Sequence, residues 1–430
     1  MMRNLLVFSL TCGLLAAPVV LVGQTSVESA LPLTLDAALR GALARDPQLA
    51  ELRAAMEAAR QRIAQARFLD PPMLEGQIWQ WPVNTLNPTQ VDMYMVSVSQ
   101  EFPGRGKRAL RAAVLQNEVA LVESQAAARA RQVAADVHHA YIAVVTARQA
   151  IEIYRSTLPL LRQSVAASQV RYESGSISQA DVLEGVVTVS RLFDDQIVLE
   201  DSLQIATARL NTLMLRDPGA AIGALDDLVE PPPLRPIAEL ERTALERHPD
   251  LAAARTRHAR AEAMRDEARG DFKPDVRVSG GFMLRPQQGD AWLASLGLTW
   301  PKAPWARGKV DARVAEARAD ADEADANAVM AEAAIKLQVR ESYIKATTAR
   351  QRIALLRSTL LPQSRQAIAI ALTAYQTDKV DFQTVLRQQR MLLENQLAYS
   401  QAMGEAAEAI AALEHMVGGV VAITPSVAGK

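Results

Sequence analysis

Five histidines, a glycine-basic turn, two strand methionines and a set of carboxylates are the residues of this chain whose types could do chemistry. His138 and His139 are adjacent, so on a helix they point about 100° apart. Neither they nor His248, His258 and His415 have the i, i+4 partner of a zinc-binding helix, and all five read as solvated or packed side chains. Gly104-Arg105-Gly106-Lys107 is similar to a phosphate-binding loop, but it lacks the first glycine at its proper spacing and the Ser or Thr after the lysine. It reads as a basic turn. Met93 and Met95 alternate onto one face of an extended segment, where thioethers offer soft ligands to copper; packing is their ordinary use. No nucleophile, base and orienting group converge, so no catalytic residue, resident metal or cofactor is expected.

The carboxylates Asp181, Glu184, Asp378 and Asp381 fall in two short segments. Rings of such residues at a pore mouth would favour cations. The alternative is helix capping, in which Asp381 and the Ser178–Asp181 pair satisfy free N–H groups; Glu184 stands too far along its helix to cap.

These two segments are copies of one another. An offset of 202 to 203 residues superimposes the halves of the chain: Ala42-Leu43-Ala44-Arg45-Asp46-Pro47 falls on Ala244-Leu245-Glu246-Arg247-His248-Pro249. Tyr141 falls on Tyr343, Tyr172 on Tyr375, and Val182-Leu183 on Val385-Leu386. The period is too long for a solenoid, so each half is a sizeable unit that packs beside its copy. The boundaries read as a signal at 1–23, a first repeat at 24–229, the proline linker at 230–236, a second repeat at 237–418 and a tail at 419–430.

The chain is alanine-rich, only 4% aromatic, and carries a formal net charge of -1. Alanine with scattered Leu, Val and Gln suits long helices in close approach rather than an aromatic core. Near-neutrality argues against a nucleic-acid partner, which would show as basic excess. A charged start, an apolar run from Leu5 to Val22 and Gly23 form a secretory signal; an N-terminal membrane helix is the rival, but the run barely reaches the ~20 residues needed to span. Cys12, the only cysteine, lies inside it, so neither disulfide nor lipid anchor is expected.

From Lys107 to Leu158, and from Lys309 to Leu361, there is neither Gly nor Pro, and apolar residues recur at three and four. If these helices continue to Tyr172 and Tyr375, each runs roughly 98 Å. Returning helices span Ser178 to Met214 and Asp381 to Met416, and each half opens with a single shorter helix, Leu35 to Phe68 and Ile237 to Arg269. Gly175 suits a left-handed helix end, and Ser178 with Asp181 makes a capping box. Strands are expected over Met73 to Trp81, Asp92 to Glu101, Pro274 to Leu284 and Trp292 to Trp300, each about ten residues, a bilayer-crossing length when tilted. Trp79, Trp81, Trp292, Trp300 and Trp305 are confined to these regions, as an interfacial girdle would be, or as an ordinary small sheet packing its aromatics inside would have them. Arg105, Lys107, Arg108 and Arg111 would then lie near lipid headgroups. Four strands cannot close in lipid, so other copies must complete them; two copies give a filled barrel and three leave a lumen.

The fold class is therefore mainly α with a small β part, and from about Leu33 to Gly418 it resembles the TolC family of outer-membrane efflux channels. Tyr172 to Gly175 with Val182-Leu183 is similar to the family's periplasmic tip motif. Tyr375 to Leu386 repeats it, with Asp378 where glycine is expected; Asp tolerates a left-handed turn. Ser99-Gln100-Glu101-Phe102-Pro103 before Gly106-Lys107, and Thr299-Trp300-Pro301 before Gly308-Lys309, match the family's strand-to-helix junctions. The resemblance implies a homotrimer with a twelve-stranded barrel in outer-membrane lipid and a twelve-helix periplasmic tunnel. It also implies docking to a periplasmic adaptor and an inner-membrane pump of the resistance-nodulation-division class. Docking would use Tyr172, Gly175, Ser178, Val182 and Leu183 with Tyr375, Asp378, Val380, Val385 and Leu386. The second tip is most similar to the branch serving heavy-metal pumps. The competing readings are a soluble periplasmic coiled-coil scaffold or adaptor, which leaves the strands unexplained, and a chain that only plugs or tethers a two-partner assembly.

Overall fold

The computed structural model describes residues 32–84, 87–286 and 288–422. The signal at 1–23, with Cys12, and most of the tail lie outside the described residues. The first repeat runs α1 (Leu35–Arg45), α2 (Pro47–Arg67), β1 (Met73–Trp79), β2 (Met93–Phe102), α3 (Lys107–Glu173) and α4 (Gln179–Leu213). The second runs α5 (Ile237–Arg247), α6 (Pro249–Gly270), β3 (Val276–Leu284), β4 (Ala291–Leu298), α7 (Arg307–Leu355), α8 (Leu361–Gln376) and α9 (Phe382–Val417).

Each half opens with two helices, not the single one expected. Asp46 and His248 leave the helical region (ψ 119° and 125°), as residues before proline do, and each caps the helix that follows. The Asp46 carboxylate accepts the Leu49 N–H at 2.8 Å and pairs with Arg129 at 2.7 Å. The apolar period crosses these breaks undisturbed, which is why period alone hides them.

The long helices are as long as expected. α3 continues through Pro159 for 67 residues, roughly 100 Å. Its counterpart stays helical from α7 into α8 through a π-turn at Leu356–Leu360. That turn directly precedes Pro362, whose missing N–H cannot serve the ordinary ladder.

The duplication is carried into the packing. Ala38, Ala42, Val133, Val137, Val144, Leu210 and Met214 form one core. Their equivalents Leu240, Ala244, Ile335, Val339, Ala346, Leu413 and Val417 form a second. Small side chains where α1 and α5 cross the long helices set the close approach that the composition implies. α3 packs on α4 and α9, and α9 packs on α7 and α8. α2 also packs on α3, and α6 lies between α3 and α7, so the helices form an array with α2 and α4 at one edge and α7–α8 at the other. Exposed apolar residues line both edges, among them Ile197, Val198 and Ile205 on α4 and Val329, Leu337 and Ile344 on α7.

The sheet is antiparallel in the order β1-β2-β3-β4, with β1 and β4 as open edges. Cross-strand partners share a face. The pairs Leu74↔Val98, Ile78↔Tyr94, Val96↔Phe282, Phe282↔Trp292, Val278↔Leu296 and Val276↔Leu298 therefore build one apolar face. It is the open one, with Val96 54% and Leu296 76% exposed. Glu75↔Ser97, Ser99↔Ser279, Ser279↔Ser295 and Glu101↔Arg277 build the opposite, polar face. Among the described residues no helix is long and apolar enough to cross a membrane.

Candidate docking tips and channel mouth

At the first tip α3 ends in a Schellman turn. The N–H of Ser176 reaches Arg171 O at 2.8 Å and that of Gly175 reaches Tyr172 O at 2.8 Å, with Gly175 at φ +76°. The second tip repeats it: Lys379 N–H to Ala374 O at 2.9 Å, Asp378 N–H to Tyr375 O at 3.2 Å, and Asp378 at φ +57°. Asp378 thus holds the left-handed position glycine would fill.

α4 starts with the expected capping box. Ser178 Oγ accepts the Asp181 N–H at 3.3 Å while Asp181 Oδ2 accepts from Ser178 N–H and Oγ–H. α9 starts with Asp381, whose Oδ1 accepts the Thr384 N–H at 2.8 Å and its hydroxyl at 2.5 Å. Those two bonds hold the Asp381 carboxyl below its ordinary value. Asp181 Oδ1 also accepts from Gln383 at 3.2 Å, tying the hairpins together. Of the four acids expected at a mouth, Asp181 and Asp381 are caps and Asp378 is ion-paired. Glu184 alone of the four is exposed without a hydrogen-bond or ion-pair partner among the described residues.

The partner of Asp378 is Arg171, from the other repeat. The same guanidinium donates to Tyr375 O at 2.9 Å and stacks 4.5 Å over the Tyr375 ring. Arg171 was not singled out from the sequence, yet a signal was there. In the repeat alignment Arg171 falls on Ala374 and Gly175 on Asp378, so at each of these two positions one tip carries a charge that the other lacks.

The expected docking residues separate into two groups. Tyr172, Gly175, Ser178 and Leu183 are exposed, Val182 is half-buried, and Asp378 is exposed. Tyr375, Val385 and Leu386 are buried at 9%, 1% and 5% exposure in a cluster with Leu158, Leu161 and Phe382, and Val380 packs against that cluster. The interior claims them, so in this conformation they offer no surface to a partner. Close packing at the first tip depends on Gly185, where a Cβ would lie 2.8 Å from Val165 Cγ2 and 3.0 Å from Phe382 Cε1.

The basic turn is also corrected. Lys107 is 7% exposed, and its Nζ lies 2.8 Å from Asp275, which also accepts the Gly104 N–H at 2.7 Å. Burial alone would raise the Asp275 carboxyl; these two donors outweigh it and the net shift is downward. Arg108 donates to Arg67 O at 3.0 Å and Arg111 faces Glu267 at 3.6 Å. A buried ammonium needs a partner, so Lys107 clamps the β2-to-α3 junction to the α6-to-β3 junction instead of facing lipid headgroups.

Tryptophans lie at both ends of the sheet. Trp79, Trp81 and Trp292 are at the loop end; Trp300 and Trp305 meet edge to face at 6.0 Å where β4 turns into α7. Trp79 pairs with Met93 and so lies on the polar face, unlike Trp292. His248 is a helix cap, its Nδ1 accepting the Asp250 N–H at 3.3 Å, and His139 faces Glu408 at 3.0 Å. Burial pushes His138, His248 and His415 down from their ordinary value. No group of His, Cys, Asp or Glu among the described residues could hold a metal ion.

Comparison with known proteins follows the same two-repeat outline. The sequence model of the family described as "Outer membrane efflux protein" matches residues 38–214 and 240–419. The cobalt-zinc-cadmium resistance protein CzcC of Cupriavidus metallidurans is 24% identical over 91% of this chain and 91% of its own. The outer-membrane channel OprN superposes with a TM-score of 0.77 at 22% identity, over 90% of each chain. VceC of Vibrio cholerae superposes with a TM-score of 0.76 at 20% identity, over 90% of this chain and 96% of its own. The duplicated helical array, the four-stranded sheet and these matches agree: the chain belongs to the outer membrane efflux protein family.

Proposed function

We propose that three copies of this chain close into a passive exit duct in the outer membrane, with the helical array as a periplasmic tunnel docked through its tips to an adaptor and an inner-membrane pump. The observation that carries this reading is the sheet, which turns a continuous apolar face outward and leaves both edges unpaired. In lipid such edges are tolerated only when another strand pairs with them. β4 of one copy meeting β1 of the next satisfies both edges, and the same rotation lays the exposed apolar residues of α4 against those of α7–α8. A soluble scaffold would have no use for an outward face of Val, Leu and Trp. The cargo class we assign is heavy-metal cations, supported by the likeness to CzcC over nearly the whole chain. No catalytic step is proposed. The exposed tip residues Tyr172, Gly175, Leu183 and Asp378 form the docking surface, and Glu184 is the acid left free to face passing cations.

Native mass measurement in detergent is expected to return a trimer, and deletion of the gene is expected to sensitise cells to heavy-metal cations. Leu183→Glu should leave the trimer intact and abolish adaptor cross-linking. A stable monomer or dimer would overturn the duct; normal cross-linking in Leu183→Glu would remove the tips as the docking surface.

A further inference from the structure

All four methionines of the sheet point the same way. Met73 pairs with Ser99, Met93 with Trp79, and Met95 with both Gln77 and Met283. Their partners place Met73, Met93, Met95 and Met283 on the face that carries Glu75, Ser97, Ser279 and Arg277. The outward face is built instead from Val, Leu, Ile, Phe, Tyr, Trp, small residues and the single amide Gln100, with no methionine. A thioether used only as filler would suit the apolar face at least as well. Here it is excluded from that face and gathered on the other.

Three of the four are neighbours. Met95 and Met283 are direct cross-strand partners, with Cβ atoms about 5 Å apart in such a pair. Met93, two residues along the same face, is diagonal to Met283 at about 7–8 Å. Each side chain is half-buried, and each has three rotatable bonds that let its sulfur move toward its neighbours. No His, Cys, Asp or Glu cluster among the described residues competes as a metal site. Met73, at the far end of the strands, stands apart.

We propose that Met93, Met95 and Met283 form an all-thioether site for a soft monovalent d10 cation of the Cu(I) or Ag(I) class, at the loop end of the polar face. Thioether sulfur selects soft ions over zinc, cobalt or other borderline ions, which take imidazole, thiolate and carboxylate. With no charge of its own, the site holds a cation only through sulfur and releases it readily to water or to the next ligand. That suits a way station better than a store. The site deepens the exit-duct reading by naming a cargo class, and its position along the exported flux rests on that reading; three thioethers within one chain do not.

The test uses the full-length protein in detergent, titrated with Ag(I) in chloride-free buffer and read by calorimetry and by silver-edge X-ray absorption. The wild type is expected to take up one Ag(I) per chain in a sulfur-only shell that excess Zn(II) does not displace. The triple variant Met93→Leu/Met95→Leu/Met283→Leu keeps side-chain volume and should lose that uptake, while Met73→Leu should keep it. Retained uptake in the triple variant, a nitrogen or oxygen shell, or no saturable uptake by the wild type would each overturn the site. Conductance of reconstituted channels is read in parallel. Wild-type conductance with lost Ag(I) uptake in the triple variant supports the site on a working duct; wild-type protein that binds Ag(I) in this way but never conducts keeps the site and removes the duct.

Discussion

At Arg171 three contacts act on one guanidinium, and their sizes rank them. The ion pair with Asp378 is solvent-screened, since the Asp378 side chain is 75% exposed, and is worth roughly 0–1 kcal/mol. A charged donor on the Tyr375 carbonyl contributes about 1.5–3 kcal/mol, and stacking over the ring about 0.5–1 kcal/mol at a site of this exposure. The carbonyl bond and the stacking therefore dominate. Arg171→Ala should speed deuterium exchange at the amides of Thr377, Asp378 and Lys379 by about tenfold or more, the equivalent of ~1.4 kcal/mol. Asp378→Asn, which keeps a residue tolerant of the left-handed turn, should change it by less than about threefold. Equal effects would mean that the ion pair holds the tip after all. The caps at Ser178, Asp181 and Asp381 were legible in the sequence because a cap is local, three residues long. Arg171 was not, because its partners lie some two hundred residues away and only the folded hairpins bring them together.

Among the elements, strands and long helices were read to within a few residues, since each carries its own period. The breaks at Asp46-Pro47 and His248-Pro249 were missed because α1 and α2 share one apolar stripe across the kink. The burial of Val385 and Leu386 was missed for a different reason. Val182-Leu183 and Val385-Leu386 are equivalent in sequence, but Phe382 occurs only in the second repeat, where Gln179 stands in the first. Phe382 fills the space beside Gly185 and draws the second pair inside. Gly185 should therefore be intolerant of size. Gly185→Ala forces a methyl into Val165 and Phe382 and should cost about 1–3 kcal/mol of tip stability, seen as faster exchange at the amides of Leu183 to Val189 with the sheet unaffected. Adding Phe382→Leu should restore part of the protection. Slow exchange in Gly185→Ala alone would show that the helices separate freely there and that the close approach constrains nothing.

For the whole molecule, the period of two in each strand predicted which residues share a face, and the register now joins the strand faces into one apolar and one polar surface. Which surface meets lipid is a statement about the assembly, and one pair of substitutions decides it. Val96, in the middle of β2, is on the apolar face; Gln77, opposite Met95 on β1, is on the polar face. An arginine toward lipid near the bilayer midplane costs about 2–4 kcal/mol, whereas one toward a water-filled lumen costs little. Three copies multiply the difference, since every chain carries the substitution. Val96→Arg should abolish membrane insertion and leave the chain as a periplasmic or aggregated species. Gln77→Arg should insert as a trimer and alter only ion selectivity. The opposite pattern would turn the sheet inside out. Insertion of both variants alike would mean that the apolar face meets protein instead of lipid.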